Sequence, residues 1–128
     1  MAPTRSLQTP ALWIGSDHAF DLHEAYLCFR SPGFDRPNDV VNLFITADSR
    51  YILWINCEYV ARGPARCWPH HQAVDRIDIA PLLRHTGNVI AVQVYQPGYS
   101  HFSYVHRGAA GMLAWLVADD DPLLITDT

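Results

Sequence analysis

The chain contains 128 residues, of which 49% are hydrophobic and 17% are charged. A chain of this size can bury a core without disulfides or metals. The composition excludes an intrinsically disordered protein, which would contain fewer apolar residues. The formal net charge of −4 gives a nucleic acid no basic surface to recognise. We therefore expect one globular domain at residues 11–128, preceded by a tail at residues 1–10.

The basic residues and the cysteines further narrow the class of protein to which the chain can belong. All nine basic residues are arginines, whose planar guanidinium groups suit bidentate pairing with carboxylates or sugar hydroxyls. Cys28, Cys57 and Cys67 match no zinc or redox spacing, so we expect reduced thiols and no metal or other cofactor. Residues 1–10 lack the apolar core of a signal peptide, and no run approaches the ~20 apolar residues of a membrane span. These features predict a soluble, cytoplasmic protein without a membrane partner.

Strand signals recur about every ten residues in the first half of the chain, which is typical of an all-β sandwich or barrel. Trp13-Ile14 and residues 26–29 are short candidate strands. Residues 41–47 alternate as a half-buried strand does, with Val41, Leu43, Ile45 and Ala47 on one face. Residues 51–56 repeat that alternation, with Tyr51, Leu53 and Ile55 on one face.

The second half continues in the same way. Ile77 and Ile79 flank Asp78 and lead into residues 81–84, which fit one short helical turn. In residues 89–95 the apolar side chains Ile90, Val92 and Val94 share a face. Residues 112–117 are apolar on both faces, which indicates a strand that is central or covered by a neighbouring module. With a last strand at residues 123–126 the total is about eight, which predicts an all-β jelly-roll sandwich of two antiparallel sheets.

Residues 45–66 contain the most specific pattern. The segment consists of a strand ending Ala47-Asp48, a strand opening Arg50-Tyr51 and a turn at Asn56-Cys57, followed by Arg-Gly-Pro-Ala-Arg at residues 62–66. A type I′ hairpin turn favours Asn-Gly because both central residues need positive φ. Here Cys57 stands where glycine is expected, so the turn either changes type or stores a little strain.

These motifs, in this order, resemble the N-terminal β-sandwich modules of α-L-rhamnosidase-like enzymes, the family 78 glycoside hydrolases. Trp13-Ile14 and Phe29-Arg30 match the opening strands of such modules, and residues 78–83 and 87–92 match two later ones. The resemblance runs from about residue 11 to 127 and implies a galactose-binding-domain-like fold. It also implies a non-catalytic accessory module that supports a separate catalytic domain and contacts carbohydrate. A free-standing carbohydrate-binding protein is the alternative.

A third interpretation, a small independent hydrolase, depends on scattered acidic and histidine residues. Glycoside hydrolysis needs two carboxylates roughly 5 to 10 Å apart, and the candidates are Asp75 with Asp78 and the run at residues 119–121. Asp75 and Asp78 fit structural roles better, and the run at residues 119–121 fits a solvated loop. The adjacent His70 and His71 would point to opposite faces of a strand, which does not favour a metal site. A nucleophilic pair of Cys67 with either histidine lacks an orienting third group. The resemblance carries over no catalytic residue, because the family's catalytic carboxylates lie in another domain.

Two aromatic and polar segments, residues 62–71 and 95–104, have the composition of a sugar-binding surface. Such surfaces combine an aromatic ring with planar polar groups, and loops of a sandwich tend to collect binding residues. Docking against other modules of a parent enzyme is the competing interpretation, and Phe44, Trp54 and Tyr59 would join that surface or a homodimer contact. The sugar-binding candidates are Arg62, Arg66, Trp68, Tyr99 and His101.

Overall fold

The computed structural model describes residues 11–15, 25–37, 39–65, 73–96, 111–118 and 121–126. Within these ranges the chain forms eight β-strands and one short 3₁₀ helix. The strands and the helix, in chain order, are β1 (Ala25–Arg30), β2 (Val41–Asp48), β3 (Arg50–Ile55), β4 (Glu58–Gly63), β5 (Asp75–Asp78), the 3₁₀ helix (Ala80–Leu82), β6 (Ile90–Gln96), β7 (Gly111–Ala118) and β8 (Asp121–Ile125).

The strands form two four-stranded sheets in which every neighbouring pair is antiparallel. The first sheet has the order β1-β6-β3-β4, and the second has the order β5-β2-β7-β8. The two sheets pack face to face, so the expected all-β jelly-roll sandwich is confirmed. The helical turn expected near residues 81–84 is also present, slightly earlier, as the 3₁₀ helix.

The core lies between the sheets, and period-2 alternation selects its residues. In β2 the side chains of Val41, Leu43 and Ile45 are at most 2% exposed, and their partly buried neighbours face away from the core. The alternating residues predicted for β3 and β6 are buried in the same cluster, namely Tyr51, Leu53, Ile55, Ile90, Val92 and Val94. Apolar burial of this kind is worth about 25 cal/mol per Å² and is the main force holding the sheets together.

Strand β7 is apolar on both faces because each face has its own apolar partners. Its inward side chains join the core, whereas Leu113 and Trp115 point outward into a second cluster with Ala11. The Trp115 ring stacks on Phe44 of β2, with 5.0 Å between the centroids and an interplanar angle of 7°. The strand is therefore central, as one of the two sequence interpretations proposed, and the chain itself supplies cover for its outer face.

The two ends of the described chain meet beside β7. Ile14 pairs with Met112 through two backbone hydrogen bonds of 2.9 Å. Further along β7, Thr126 donates its backbone N–H to the Ala114 carbonyl at 2.9 Å and accepts the backbone N–H of Leu12 at 2.8 Å. The Thr126 hydroxyl donates to the Leu12 carbonyl at 2.6 Å. Residues 12–14 thus continue the edge of the sheet beyond the end of β8. We call the contact of residues 12–14 with Thr126 and β7 the end latch.

A buried asparagine fixes the opposite end of the sandwich. Asn88 is fully buried, and its side-chain nitrogen donates to the carbonyls of Arg84 at 2.8 Å and Phe34 at 3.1 Å. Its side-chain oxygen accepts the Arg84 N–H at 2.7 Å and the Asn56 amide at 3.0 Å. Buried polar groups stabilise a fold when they are fully paired in this way, so Asn88 ties the β3–β4 turn to the segments around it.

Candidate functional site

The outward side chains of the first sheet form rows that cross three or four strands. In one row Tyr26 of β1, Tyr95 of β6 and Arg50 of β3 are register neighbours. In the next row Gln93 of β6, Ile52 of β3 and Arg62 of β4 are register neighbours. Because side chains alternate across a strand, the buried positions between these rows point into the core. Aromatic, amide and guanidinium groups therefore share one outer face.

Two aromatic rings lie at one end of this face. Tyr26 is 64% exposed, and its ring centroid lies 5.1 Å from that of Tyr95 with an interplanar angle of 34°. A tilted pair at this distance is a favourable aromatic arrangement. Much of the Tyr26 ring remains exposed, so it can pack against a ligand.

Arg62 is held on this face by an irregularity of β4. The β3–β4 register shifts between Leu53 and Trp54, so Tyr59 stands opposite Trp54 and Arg62 opposite Ile52. In a regular strand, residues three apart face opposite sides, but a bulge inserts one extra residue and restores the shared side. The Arg62 Nε donates to the Tyr59 hydroxyl at 3.3 Å, and its guanidinium carbon lies 5.9 Å from the Tyr59 ring centroid.

A groove of about 770 Å³ runs over this face to the edge where β4 meets β5. Such a volume lies within the range of small-ligand clefts, roughly 300 to 1,000 Å³. The groove is lined on the first sheet by both tyrosines and both arginines of the rows, and on β5 by Asp75 and Arg76. Among the residues that the structure describes, the charged side chains along the groove are three arginines and one aspartate.

The end of the groove is shaped by a hydrogen bond between the two sheets. The buried Tyr51 of β3 donates its hydroxyl to the Asp75 carboxylate of β5. Burial, with the hydrogen bond to Asp75 as a second cause, raises the pKa of the Tyr51 phenol far above its ordinary value, so the donor keeps its proton. Gly63 borders this pair, and a Cβ there would overlap the Asp75 carboxylate. Glycine at this position is what lets β4 close over the bond.

The carboxylates proposed as a catalytic pair hold structural positions. Asp75 and Asp78 are the two ends of β5. Asp75 is bonded to Tyr51, whereas Asp78 accepts the Ala80 N–H at 3.2 Å and so holds the turn between β5 and the 3₁₀ helix. Three residues apart on a strand, their side chains lie on opposite faces, so they cannot flank one glycosidic bond. Of the run at residues 119–121, the structure describes only the backbone of Asp121 in β8.

The sequence-predicted binding residues divide into two groups. Arg62 lines the groove. The candidates Arg66, Trp68, Tyr99 and His101 lie outside the described residues, as do the histidine pair and Cys67. Four further residues along the groove were not predicted from the sequence, namely Tyr26, Arg50, Arg76 and Gln93. Alternation along the sequence places each of them on the outward side of its own strand. Only the order of the strands, which the sequence does not show, brings the four residues together.

A second cavity of about 210 Å³ lies between the sheets. Its lining is mainly core side chains of both sheets, such as Phe29, Leu43 and Met112, with Arg30 among the few polar groups. Ligand sites usually add several convergent polar groups to an apolar wall. The described part of its lining has no such set, which is typical of a gap in core packing.

Two further features concern only the ranges that the structure describes. No group of three or more His, Cys, Asp and Glu side chains lies close enough there to hold a metal ion. Within the same ranges, no helix has the length and apolar character needed to cross a bilayer.

Comparison with solved structures first defines the class of fold. A lectin from Pleurotus ostreatus, solved in complex with GalNAc, has a TM-score of 0.54 and 18% sequence identity. The match covers 91% of this chain and 33% of the lectin. At that identity the likeness shows the fold alone, an antiparallel β-sandwich. No protein-family model and no curated protein matches the chain.

The rhamnosidases are more similar. A GH78 family rhamnosidase from Bacillus sp. GL1 shares 41% identity with this chain over 93% of its length, with a TM-score of 0.85. An α-L-rhamnosidase from Streptomyces avermitilis, complexed with L-rhamnose, shares 22% identity over 91% of this chain, with a TM-score of 0.64. The chain spans only 13% of the Bacillus chain and 11% of the Streptomyces chain. The expected resemblance to GH78 enzymes is confirmed, and it concerns one small module of them.

Proposed function

We propose that this chain is a non-catalytic accessory module of an α-L-rhamnosidase-like glycoside hydrolase. The observation that carries the proposal is the 41% identity, which extends over 93% of this chain but only 13% of the Bacillus rhamnosidase. A match at this identity to one small part of a long enzyme supports the proposal that the chain is a module of such an enzyme. The structural roles of Asp75 and Asp78 agree with a module that performs no hydrolysis.

The module has two roles in this proposal. Its first role is to support the catalytic domain, and the surface around Tyr59 and Trp54 is a docking candidate because Tyr59 is 55% exposed and Trp54 half-buried. Its second role is contact with carbohydrate at the groove. The groove supports this role through an exposed aromatic ring, which offers a flat apolar face, and guanidinium groups, which are planar hydrogen-bond donors.

The groove also favours a second candidate function, a free-standing carbohydrate-binding protein. The two functions predict different native proteins. A module is one part of a much longer polypeptide that hydrolyses rhamnosides. A free-standing protein has the 14.5 kDa mass of this chain and binds sugar without cleaving it.

An antibody raised against this chain tests the proposal in the cells from which the sequence comes. We expect it to detect a band several times larger than 14.5 kDa. Protein purified with it should hydrolyse p-nitrophenyl α-L-rhamnoside, and the isolated chain should not. A native band at 14.5 kDa, without hydrolysis in the purified material, would refute the module and leave the free-standing protein.

A further inference from the structure

The groove over the first sheet is elongated as well as open. Its described lining includes residues of all four strands of that sheet, in the spatial order β1, β6, β3 and β4, and residues of β5 beyond them. Neighbouring strands of a sheet lie about 4.8 Å apart. The path from β1 to β4 therefore extends about 14 Å across the strands. A single monosaccharide would occupy only one end of such a groove.

The groups that can contact a ligand follow one another, strand by strand, along this path. Tyr26 of β1 presents a ring that is 64% exposed and is tilted against Tyr95 of β6. Gln93 of β6 and Arg62 of β4 belong to the next row, on either side of Ile52 of β3. The step between strands is close to the length that one pyranose unit adds to a glycan chain. An oligosaccharide laid across the strands would therefore meet new side chains at each unit.

These side chains match the two kinds of surface that a sugar presents. The exposed Tyr26 ring offers a flat apolar face on which the axial C–H groups of a pyranose can pack. The Gln93 amide both donates and accepts, as a sugar hydroxyl does. The exposed Arg62 donates Nε to the Tyr59 hydroxyl at 3.3 Å, and a guanidinium has further N–H donors on its terminal nitrogens. A ring platform and partners for hydroxyl groups thus lie in one groove.

The groove suits a peptide less well. One common way for an extended peptide to bind is to add a strand to the edge of a sheet, where backbone N–H and C=O groups are unpaired. This groove runs over the face of the sheet, and both β6 and β3 beneath it already pair with a strand on each side. A peptide lying there would gain no backbone ladder. A glycan chain has no amide groups that need one.

We propose that this groove binds an oligosaccharide of at least about three pyranose units, laid across the strands, with one ring on Tyr26 and the hydroxyls of later units on Gln93 and Arg62. This inference rests on the carbohydrate contact of the proposed function. It adds the form of the ligand, which is a glycan chain instead of a single sugar. The length of the groove sets the number of units, because successive strands contribute successive contacts.

An amide NMR titration of the chain with methyl α-L-rhamnoside and with the α-linked L-rhamnose disaccharide and trisaccharide tests this dependence on ligand length. We expect the trisaccharide to bind at least about tenfold more tightly than the monosaccharide, since two added hydrogen bonds of ordinary strength give a factor of that size. The monosaccharide should shift the amides of Tyr26 and Tyr95. The trisaccharide should extend the shifted region across the sheet to Ile52 and Arg62.

Matched variants locate the two ends of the path. Tyr26→Ala should weaken binding of every probe because it removes the ring platform, whereas Tyr26→Phe keeps the ring and should bind like the unaltered chain. Arg62→Gln should weaken the trisaccharide about fivefold and leave the monosaccharide unchanged. Arg84→Gln alters an exposed arginine outside the described lining of the groove and is the matched control. Circular dichroism of each variant checks that it is folded.

The outcomes separate this inference from the proposed function. Equal affinity for the monosaccharide and the trisaccharide would overturn the extended site but leave the carbohydrate contact. A trisaccharide that shifts no amide along the groove would overturn the groove as a saccharide site, and the antibody experiment would still decide whether the chain is an enzyme module. Equal affinity for a poly-L-proline peptide would also overturn the inference, because extended proline-rich peptides dock in grooves lined by aromatic rings.

Discussion

At the scale of single residues, the β3–β4 turn shows how a side chain can occupy a conformation that suits glycine. Asn56 and Cys57 have φ values of 52° and 68°, which are those of a type I′ turn. The Asn56 side chain stabilises its position by accepting the Val89 N–H at 3.0 Å and donating to Asn88 at 3.0 Å. Cys57 is exposed, and its thiol is only a weak hydrogen-bonding group that cannot hold the backbone as the Asn56 amide does. The cost of the left-handed conformation therefore remains at Cys57.

Replacing Cys57 with glycine removes that cost. We expect Cys57→Gly to be neutral or to raise the free energy of unfolding by up to about 1 kcal/mol, as measured by urea denaturation. Cys57→Ala is the control, because it removes the thiol but keeps the Cβ, and it should bring no gain. A clearly lower melting temperature for Cys57→Gly would refute the account of the turn.

Gly63 presents the reverse case, a glycine that a larger residue cannot replace. Its missing Cβ makes room for the Asp75 carboxylate and the Tyr51 hydroxyl. We expect Gly63→Ala to lower the free energy of unfolding by about 1–3 kcal/mol, the usual cost of overpacking. Gly33→Ala is the matched control, because nothing lies within 4 Å of a Cβ there. Equal stability of the two variants in urea denaturation would show that the Tyr51–Asp75 bond does not constrain β4.

At the scale of elements, the sequence predicted most strands because alternation is a local property. The inward residues of β2 and β3 were readable without knowing which strand pairs with which. The groove was not readable, because Tyr26 becomes a neighbour of Tyr95 only through a pairing of strands far apart in the chain. The shared face of Tyr59 and Arg62 depends on a bulge, which the period-2 pattern alone does not show.

The end latch is the element whose strength is most easily tested. The Thr126 hydroxyl donates to the Leu12 carbonyl and accepts the Ala114 N–H at 3.2 Å. Thr126→Val keeps the side-chain shape and removes both bonds. We expect a loss of about 1–2 kcal/mol in the free energy of unfolding and faster hydrogen exchange at the Leu12 and Ile14 amides.

The exposed Thr86 provides the control for the latch. Thr86→Val should leave both the unfolding free energy and the exchange of Leu12 unchanged. Unaltered exchange at Leu12 and Ile14 in Thr126→Val would mean that the backbone bonds alone hold the ends together.

At the scale of the whole molecule, the Tyr51–Asp75 bond makes stability depend on alkaline pH. The pKa of Tyr51 is raised in the folded chain, whereas a tyrosine in the unfolded chain titrates near its ordinary value of about 10. Above that pH the unfolded chain loses a proton that the folded chain keeps, so the unfolded state is favoured. The stabilisation is complete below about pH 10 and decreases as the pH rises further.

Urea denaturation between pH 8 and 11.5 measures this dependence. We expect the free energy of unfolding to decrease above about pH 10. Tyr51→Phe should be less stable at pH 8, because Asp75 loses its donor, but its stability should decrease less steeply with rising pH. Parallel curves for the two proteins would show that Tyr51 does not set the alkaline limit.

The end latch also determines how a longer polypeptide passes through this sandwich. Leu12 and Thr126 are hydrogen-bonded to each other, so the chain leaves the sandwich where it enters it. The width of the sandwich therefore does not separate the point of entry from the point of exit. Such a domain is attached to a host protein through two chain segments that lie side by side. A host fold can then gain or lose it with little change in its own loop-closure entropy, which grows only slowly with the length of the inserted chain.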